Sequence, residues 1–226
     1  MNSKIGIGIT TRDRNEVFAY TLSRLVEHLP KDCTLAIVDD NSKVPVAEAD
    51  YRFETNVGVS RAKNKCLELL KDCDHIFLFD DDTYPINDGW WQPYLNHDEP
   101  HLMYQFKLPN KPESDMQLLY QDEDTTSWSH TRGAMIYLER RVLDAVGGFD
   151  TKYGLGGFEH PDLTNRVHNA GLTTHRAMDV VNSNELLYCL DQDGKVDSSV
   201  NLRDKTKNYK YYQSQRKSKE FKEYIL

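Results

Sequence analysis

Residues 75–82, HIFLFDDD, decide the fold, because a short apolar run leads directly into three aspartates. Two earlier stretches, residues 4–10 (KIGIGIT) and 34–38 (TLAIV), are also short and apolar and also end in polar residues. Between these stretches, residues 18–29 and 59–70 carry apolar side chains at helical spacing. Strands that alternate with helices in this way predict an α/β fold with a mostly parallel central sheet and helices on both faces.

The polar residues at the strand ends are the first candidates for a functional site. Parallel strands end at the same edge of a sheet, and such sheets bind ligands there. We expect one cluster, formed by Thr10, Thr11, Arg12, Asp39, Asp40, Asp80, Asp81 and Asp82. Three adjacent carboxylates are tolerated when they are solvated or when they hold a divalent cation. In an extended chain Asp80 and Asp82 point to the same side, which predicts a site for Mn²⁺ or Mg²⁺.

Composition places the chain among globular proteins. Its 226 residues are 38% hydrophobic and 28% charged, which is enough apolar material for a packed core. No apolar run approaches the ~18–20 residues of a membrane span, and the N-terminus lacks the pattern of a signal peptide. None of the four cysteines forms a C-x-x-C pair, so we expect reduced, structural thiols and a cytoplasmic location.

Charge is unevenly distributed along the chain. The net charge is −8, whereas residues 201–226 hold eight Lys or Arg against three Asp or Glu. We therefore expect one catalytic domain over residues 1–200 and a basic, aromatic extension over residues 201–226 that packs on it. An acidic body favours metal ions or sugars as ligands, and the basic extension leaves DNA open as a partner. Nothing in the sequence indicates an oligomeric state.

Several short motifs occur in an order that resembles family 2 glycosyltransferases. They are residues 11–14 (TRDR), 36–42 (AIVDDNS), 56–64 (NVGVSRAKN), 77–85 (FLFDDDTYP, similar to the family's D-x-D motif), 147–150 (GGFD) and 157–163 (GFEHPDL). The resemblance implies a GT-A fold and transfer of a sugar from a nucleotide-sugar donor, with UDP favoured, to an acceptor hydroxyl. It also implies inversion at the sugar and a requirement for Mn²⁺ or Mg²⁺. The acceptor is left open between a glycan, a protein and a hydroxylated DNA base.

The resemblance also implies a role for each candidate residue in donor binding. The nucleotide-sugar would meet Thr10, Thr11, Arg12, Asp39, Asp40, Asn56, Arg61, Lys63, Asp80 and Asp81. Among these, Asp39 would accept hydrogen bonds from the base or the ribose, and Arg61 or Lys63 would meet the diphosphate. Lys63 stands where the family usually has arginine, so it offers a point charge instead of a planar fork. Asp80 and Asp82 would hold the metal.

The catalytic base has three candidates at the start of a late helix. The family has a carboxylate pair here, and this chain has His160 in place of the usual aspartate between Glu159 and Asp162. Either carboxylate or a neutral imidazole could take the proton from the acceptor hydroxyl. Asp162 also stands four residues before Arg166, the spacing of a pair on one helix face.

Two further predictions complete the site. In some GT-A enzymes a histidine after this helix completes the metal site, so His175 is expected as the third ligand, with His130 as the alternative. Trp128 lies in a polar loop near the expected mouth of the site, and an indole there could stack on the apolar face of a sugar ring.

Two other functions remain open on the sequence. The change to His160 favours a non-catalytic nucleotide-sugar-binding module of the same fold. A nucleotidyltransferase would want a glycine-rich loop after the first strand, and residues 10–15 contain no glycine.

Overall fold

The computed structural model describes residues 3–108, 111, 115–194, 196 and 204–225. The described strands are β1 (Ile5–Thr11), β2 (Thr34–Asp39), β3 (Tyr51–Arg52), β4 (His75–Asp80), β5 (Thr83–Pro85), β6 (His101–Met103), β7 (Leu118–Gln121), β8 (Thr125–Trp128), β9 (Met135–Glu139), β10 (Ala177–Val180) and β11 (Leu187–Cys189). The described α-helices are α1 (Asn15–Glu27), α2 (Val59–Leu69), α3 (Gln92–Leu95), α4 (Arg140–Val146), α5 (Glu159–Asn169) and α6 (Lys205–Gln215). The expected boundary between residues 200 and 201 lies outside the described residues.

Six strands form the central sheet in the order β3-β2-β1-β4-β9-β6. Strand β1 is parallel to both β2 and β4, and β2 is parallel to β3. Strand β9 is antiparallel to β4 and β6. The prediction of a mostly parallel α/β sheet is confirmed, and β1, β2 and β4 end at the same edge, where the polar residues cluster.

The alternation of isoleucine and glycine in β1 explains how helices cover both faces. Ile7 and Ile9 face one core, which also holds Phe18 and Leu25 of α1. The glycines face α2, which packs against the sheet together with α4 and α5. A Cβ on Gly8 would lie 2.8 Å from the Cβ of Cys66, so this close approach of α2 requires glycine.

Two smaller sheets lie beyond the central one. Strand β8 pairs with β7 and β10, and β11 pairs with β5 directly after the three aspartates. The pairing of β11 with β5 brings the 3-10 helix Leu190–Asp193 back to the edge where β4 ends, because the Leu190 N–H donates to the carbonyl of Asp82 over 2.9 Å. The 3-10 helix, which comes late in the chain, therefore lies beside the residues that follow β4, which come early.

Residues of the basic extension pack on the glycine-rich loop, residues 147–158. The Asn208 amide donates to the carbonyls of Tyr153 and Gly156 over 2.8 and 2.9 Å. Further along, the Lys222 N–H donates to Val146, and the Lys222 carbonyl accepts from Gly148 over 2.9 Å. These contacts fix the loop that leads into α5.

The cysteines and the helices agree with two of the sequence expectations. Each of the four cysteines is a free thiol. The longest described helix, α1, has 13 residues, and none of the described helices has the length and apolar content of a membrane span.

Candidate nucleotide and metal site

A cleft of about 110 Å³ opens where β1, β2 and β4 end. It is lined by Thr10, Thr11, Arg12, Arg14, Asp40, Asn56, Gly58, Val59, Ala62, Asp80, Asp81 and Leu155. Most of the residues expected to meet the nucleotide-sugar are therefore brought together here. Strand order explains this, because the carboxyl ends of neighbouring parallel strands lie side by side.

Asp39 and Arg61 do not line this cleft. The Asp39 carboxylate is buried and accepts from the Ser42 N–H over 2.8 Å and from Arg52 Nε over 2.9 Å. Burial alone would raise the pKa of Asp39, but these hydrogen bonds hold it below its ordinary value. Arg61 is exposed, because Val59 and Ala62 occupy the face of α2 that looks into the cleft.

Asp40 shapes the cleft through the loop that precedes α2. Its two carboxylate oxygens accept from the N–H groups of Val57 and Gly58 over 2.7 and 2.9 Å. Burial raises the pKa of Asp40 despite these bonds. Gly58 has a φ of +87°, and a Cβ there would lie 2.2 Å from the carbonyl oxygen of Gly154. Asp40 thus holds a turn that only glycine can form at this place.

Positive charge reaches the cleft from Arg12. Its Nε is buried and has no hydrogen-bond partner among the described residues, while a terminal nitrogen lies 3.4 Å from the Asp13 carboxylate. A buried N–H donor that lines a cleft normally finds a partner. A phosphate oxygen is a suitable acceptor for it.

Lys63 forms an ion pair with Asp80, which lines the cleft. The Lys63 ammonium is buried, lies 2.8 Å from the Asp80 carboxylate, and donates to the carbonyl of Gly133 over 2.9 Å. The Asp80 side chain is about one third exposed, so it faces the cleft while its charge is balanced from the other side. Lys63 itself does not line the cleft in this structure.

The three aspartates do not share one partner. The chain turns at Asp81 and Asp82 before β5 begins, so the two-residue alternation expected of an extended strand stops at Asp80. Asp81 accepts from the Thr11 hydroxyl over 2.7 Å and from Arg14. Asp82 accepts from the same Arg14 nitrogen over 2.7 Å. Arg14, which belongs to the TRDR motif but had no role assigned from the sequence, therefore joins the two buried carboxylates.

A potential metal site lies around Asp82, with a ligand set that differs from the expected one. The ligand atoms of Asp82, Cys189 and Asp191 all lie within 4.8 Å of one another. Burial and the charge of Asp82 raise the pKa of Asp191 to about 6. Burial also raises the pKa of the Cys189 thiol, which keeps it neutral near pH 7. Two carboxylates suit Mn²⁺ or Mg²⁺, which are hard cations that prefer oxygen ligands.

His175, expected from the sequence as the third metal ligand, is not part of this group. Its ring lies 4.6 Å from that of Tyr120, centroid to centroid, on the rim of another surface groove. The chain returns to the Asp82 edge only later, through β11. The alternative, His130, is exposed and contacts Ser129. Asp80 is also outside the group, because the turn at Asp81 separates it from Asp82.

Glu159 and His160 lie at the start of α5, beside the Lys63–Asp80 pair. The Glu159 side chain is buried, and one of its oxygens lies 3.2 Å from His160 Nδ1. His160 packs on Gly133, where a Cβ would lie 2.8 Å from His160 Nδ1. Because the Gly133 carbonyl accepts from Lys63, contacts link these two candidate bases to the Lys63–Asp80 pair, although neither base lines the cleft itself.

Asp162, the third candidate base, forms an ion pair inside the protein. Its carboxylate is 1% exposed and accepts from Arg166 Nε over 2.9 Å and from the Tyr153 hydroxyl over 3.1 Å. Arg166 is also buried and donates to the carbonyls of Val146 and Gly148, each over 2.6 Å. The pair expected on the helix surface is therefore buried beneath the glycine-rich loop, where an acceptor cannot reach Asp162.

Trp128 lies on a second groove, as the last residue of β8. Its ring is half-buried and its Nε1 donates to the Thr126 hydroxyl over 3.1 Å. By contrast, Trp90 is fully buried and packs edge-to-face on Phe77 and Phe79 in the core. The three tryptophans thus divide between a surface groove and the core, with Trp91 against Trp90.

Comparison with known proteins finds similarity in structure and none in sequence families. No family model matches the chain, and no curated protein matches it. Solved structures do match. GalNAc-T7 with UDP, GalNAc and Mn²⁺ has a TM-score of 0.64 at 13% identity, over 93% of this chain and 48% of that chain.

Two other matches cover different shares of their chains. A Drosophila β-1,4-galactosyltransferase 7 variant with manganese, UDP-Gal and xylobiose has a TM-score of 0.57 at 16% identity, over 99% of this chain and 84% of that chain. Staphylococcus aureus TarS, residues 1–349, with UDP also has a TM-score of 0.57 at 16% identity, over 74% of this chain and 55% of that chain. The chain thus spans about half of GalNAc-T7 and of this TarS fragment. At these identities the likeness is one of fold, and the chain has the GT-A fold of these glycosyltransferases.

Proposed function

We propose that this protein is a glycosyltransferase that moves a sugar from a nucleotide-sugar, with a UDP-sugar favoured, to an acceptor hydroxyl with the help of Mn²⁺ or Mg²⁺. One observation carries the proposal: the cleft at the ends of β1, β2 and β4 adjoins a group of acidic metal-binding side chains in a chain with the GT-A fold. The matched structures were solved with UDP, UDP-Gal and Mn²⁺, which supports this donor class and a divalent cation.

The residues that line the cleft suit a nucleoside diphosphate. Thr10, Thr11 and Asn56 offer hydrogen bonds to the base and ribose, and Asp40 fixes the loop beside them. The unpartnered Nε of Arg12 would donate to a phosphate oxygen. Asp80, held by Lys63 and partly exposed, would accept from a hydroxyl of the ribose or of the sugar.

Asp82 and Asp191 would hold the divalent cation. The two carboxylates fit it by their chemistry, whereas the neutral Cys189 thiol is a weaker ligand for Mn²⁺ or Mg²⁺. When bound, the cation would stabilise the negative charge that develops on the departing diphosphate. The Arg14 guanidinium pairs with Asp82 in this structure, so it must share that carboxylate with the metal or move aside.

The transfer itself needs one base and one leaving group. A bond forms between the acceptor oxygen and the anomeric carbon of the sugar, while the bond from that carbon to the diphosphate oxygen breaks. The diphosphate leaves with the electron pair, and the hydroxyl proton passes to Glu159, with His160 beside it as the second candidate. Attack on the face opposite the leaving group inverts the anomeric centre.

The decisive experiment is release of UDP from a panel of UDP-sugars, measured with and without Mn²⁺. We expect slow, metal-dependent hydrolysis without an acceptor and faster release with one. UDP that binds without any release from any donor would support the alternative of a non-catalytic nucleotide-sugar-binding module. The Arg14–Asp82 ion pair favours this alternative, because the Arg14 guanidinium already occupies the carboxylate that a catalytic cation would need.

A nucleotidyltransferase is the less favoured alternative. The loop between β1 and α1 begins with the side chains of Arg12 and Asp13 and contains no glycine. A phosphate-cradling turn of backbone N–H groups, which glycines permit, is therefore not expected at this position.

A further inference from the structure

The groove that holds Trp128 has a volume of about 470 Å³. Its lining includes Gln105, Phe106, Lys107, Thr126, Asn182 and Gln192. We propose that this groove binds the acceptor and that the acceptor is an uncharged saccharide. The inference rests on the proposed glycosyltransferase function and names its second substrate by class.

The chemistry of the lining carries the choice of ligand. Among the described residues, the lining consists of amide and hydroxyl side chains together with an indole and apolar groups, with no carboxylate and with Lys107 as the one charged side chain. A sugar presents hydroxyls at its edges and apolar C–H faces, which match amides and an indole. A nucleic acid would need several cations along its phosphates, and the described lining offers one.

One buried amide points to a missing hydrogen-bond partner. Gln105 is 6% exposed, and its Oε1 accepts from the Arg132 N–H over 3.1 Å, which fixes the orientation of the amide. Its Nε2, the donor end, has no partner among the described residues. A buried donor left without an acceptor is unfavourable, so a ligand hydroxyl that accepts from it would gain affinity.

The groove connects with the donor cleft through two short paths. Gln192 of the groove follows Asp191, whose carboxylate belongs to the potential metal site. Gln105 holds Arg132, and the next residue, Gly133, contacts both Lys63 and His160. Contacts thus run from the groove residue Gln105 through Arg132 and Gly133 to His160, and they support the assignment of this groove to the acceptor.

The experiment is saturation-transfer NMR on the full chain with UDP and Mn²⁺, using lactose, cellobiose, chitobiose and xylobiose as separate probes. We expect at least one disaccharide to bind. Trp128→Ala should weaken that binding about tenfold by removing the stacking surface. Gln105→Glu keeps an acceptor for the Arg132 N–H and replaces the amide donor by a carboxyl group, so it should weaken binding. It also places that carboxyl group at a buried position, where the Gln105 N–H donates to Asp179. Melting temperatures verify that each variant is folded.

Tyr120→Ala is the matched control. Tyr120 is an exposed aromatic residue on the neighbouring strand β7, but it lines the other groove, with His175. This variant should bind the disaccharide as the unmodified chain does. An equal loss in Tyr120→Ala, or normal binding by both groove variants, overturns the proposal.

Separate measurements distinguish the failure of this proposal from the failure of the proposed function. If UDP binds with Mn²⁺ but no disaccharide binds at millimolar concentration, the acceptor proposal is overturned and the donor function stands. Salt-sensitive binding of hydroxymethylated duplex DNA in place of disaccharides would overturn it in favour of a DNA acceptor. If UDP itself does not bind, the proposed function fails first.

Discussion

The Arg14 guanidinium donates to the Asp82 carboxylate over 2.7 Å, so the carboxylate that would bind a metal already has a cation beside it. We expect Arg14→Met to bind Mn²⁺ several-fold more tightly in the absence of nucleotide, because the metal no longer competes with a guanidinium. Isothermal titration with Mn²⁺ measures this. Arg24→Met, which removes an exposed guanidinium paired with Glu27, is the control. Weaker binding by Arg14→Met would show that Arg14 supports the site.

Asp191 should contribute to metal-dependent activity as much as Asp82 does. We expect Asp82→Asn and Asp191→Asn each to lower metal-dependent UDP release by about 100-fold or more, the scale for losing one electrostatic contribution to a transition state. His175→Asn should leave the release unchanged, since His175 lies outside the Asp82 group. A large loss in His175→Asn alone would restore the ligand set expected from the sequence.

Glu159 and His160 can be separated by kinetics. Glu159→Gln should lower kcat by about 100-fold to 10,000-fold, which is the usual contribution of a general base, with little change in the Kd of UDP. His160→Asn should cost less, because its ring packs on Gly133 and contacts Glu159 from the side. If His160→Asn loses the larger share, then the imidazole is the base, and Glu159 orients it.

The sequence predicted the fold and the edge where the site lies because both follow from local patterns. Apolar runs that end in Thr10, Asp39 and Asp80 specify parallel strands, and parallel strands put their ends together. The alternation of isoleucine and glycine in β1 is also a local pattern, and its glycines allow the close approach of α2. Local patterns could not predict the directions of the Asp81 and Asp82 side chains. The turn into β5 depends on the pairing of β5 with a strand more than 100 residues later.

The other differences between the sequence expectations and the structure also arise from contacts between residues far apart in the chain. Arg14 and Asp191 reach Asp82 through long-range contacts that leave no periodic signal in the chain. An acidic residue after the apolar stretch that forms β11 was the one hint of Asp191. Asp162 was expected as a base or as a surface pair with Arg166, and only the packing of residues 146–148 over α5 reveals that the pair is buried.

The buried Asp162–Arg166 pair gives a prediction about stability. Arg166→Met should lower the free energy of unfolding by about 3–5 kcal/mol, since it leaves a buried carboxylate and two buried carbonyls without their donor. Urea unfolding measures this. Glu139→Gln breaks an ion pair whose arginine, Arg141, is largely exposed, and should cost less than about 1 kcal/mol. Equal costs for the two variants would contradict the burial of the first pair.

His101 makes stability depend on pH. It is fully buried between the Tyr137 carbonyl and the Thr164 hydroxyl, and burial lowers its pKa to about 4. In the unfolded chain its pKa is about 6.5. Between these values the unfolded chain binds a proton that the folded chain does not. The unfolding free energy should therefore fall as the pH drops from about 6.5 to 4, by up to about 1.4 kcal/mol per pH unit.

Comparison of His101→Gln with His130→Gln isolates this effect. His130 is exposed, so His130→Gln is the control for replacing a histidine by glutamine at the surface. His101→Gln should flatten the pH dependence, whatever it costs in stability at pH 7. Parallel curves for the two variants would contradict the assignment.

The contact of Lys222 with residues 146–148 has a consequence for biosynthesis. A Cβ on Gly147 would lie 1.9 Å from the Lys222 carbonyl oxygen, so the loop and this late strand segment fit each other closely. At ~5–20 residues per second, the ribosome synthesises the loop several seconds before it reaches Lys222. The contacts of residues 146–148 with Lys222 can therefore form only after the rest of the glycine-rich loop and α5 have been synthesised.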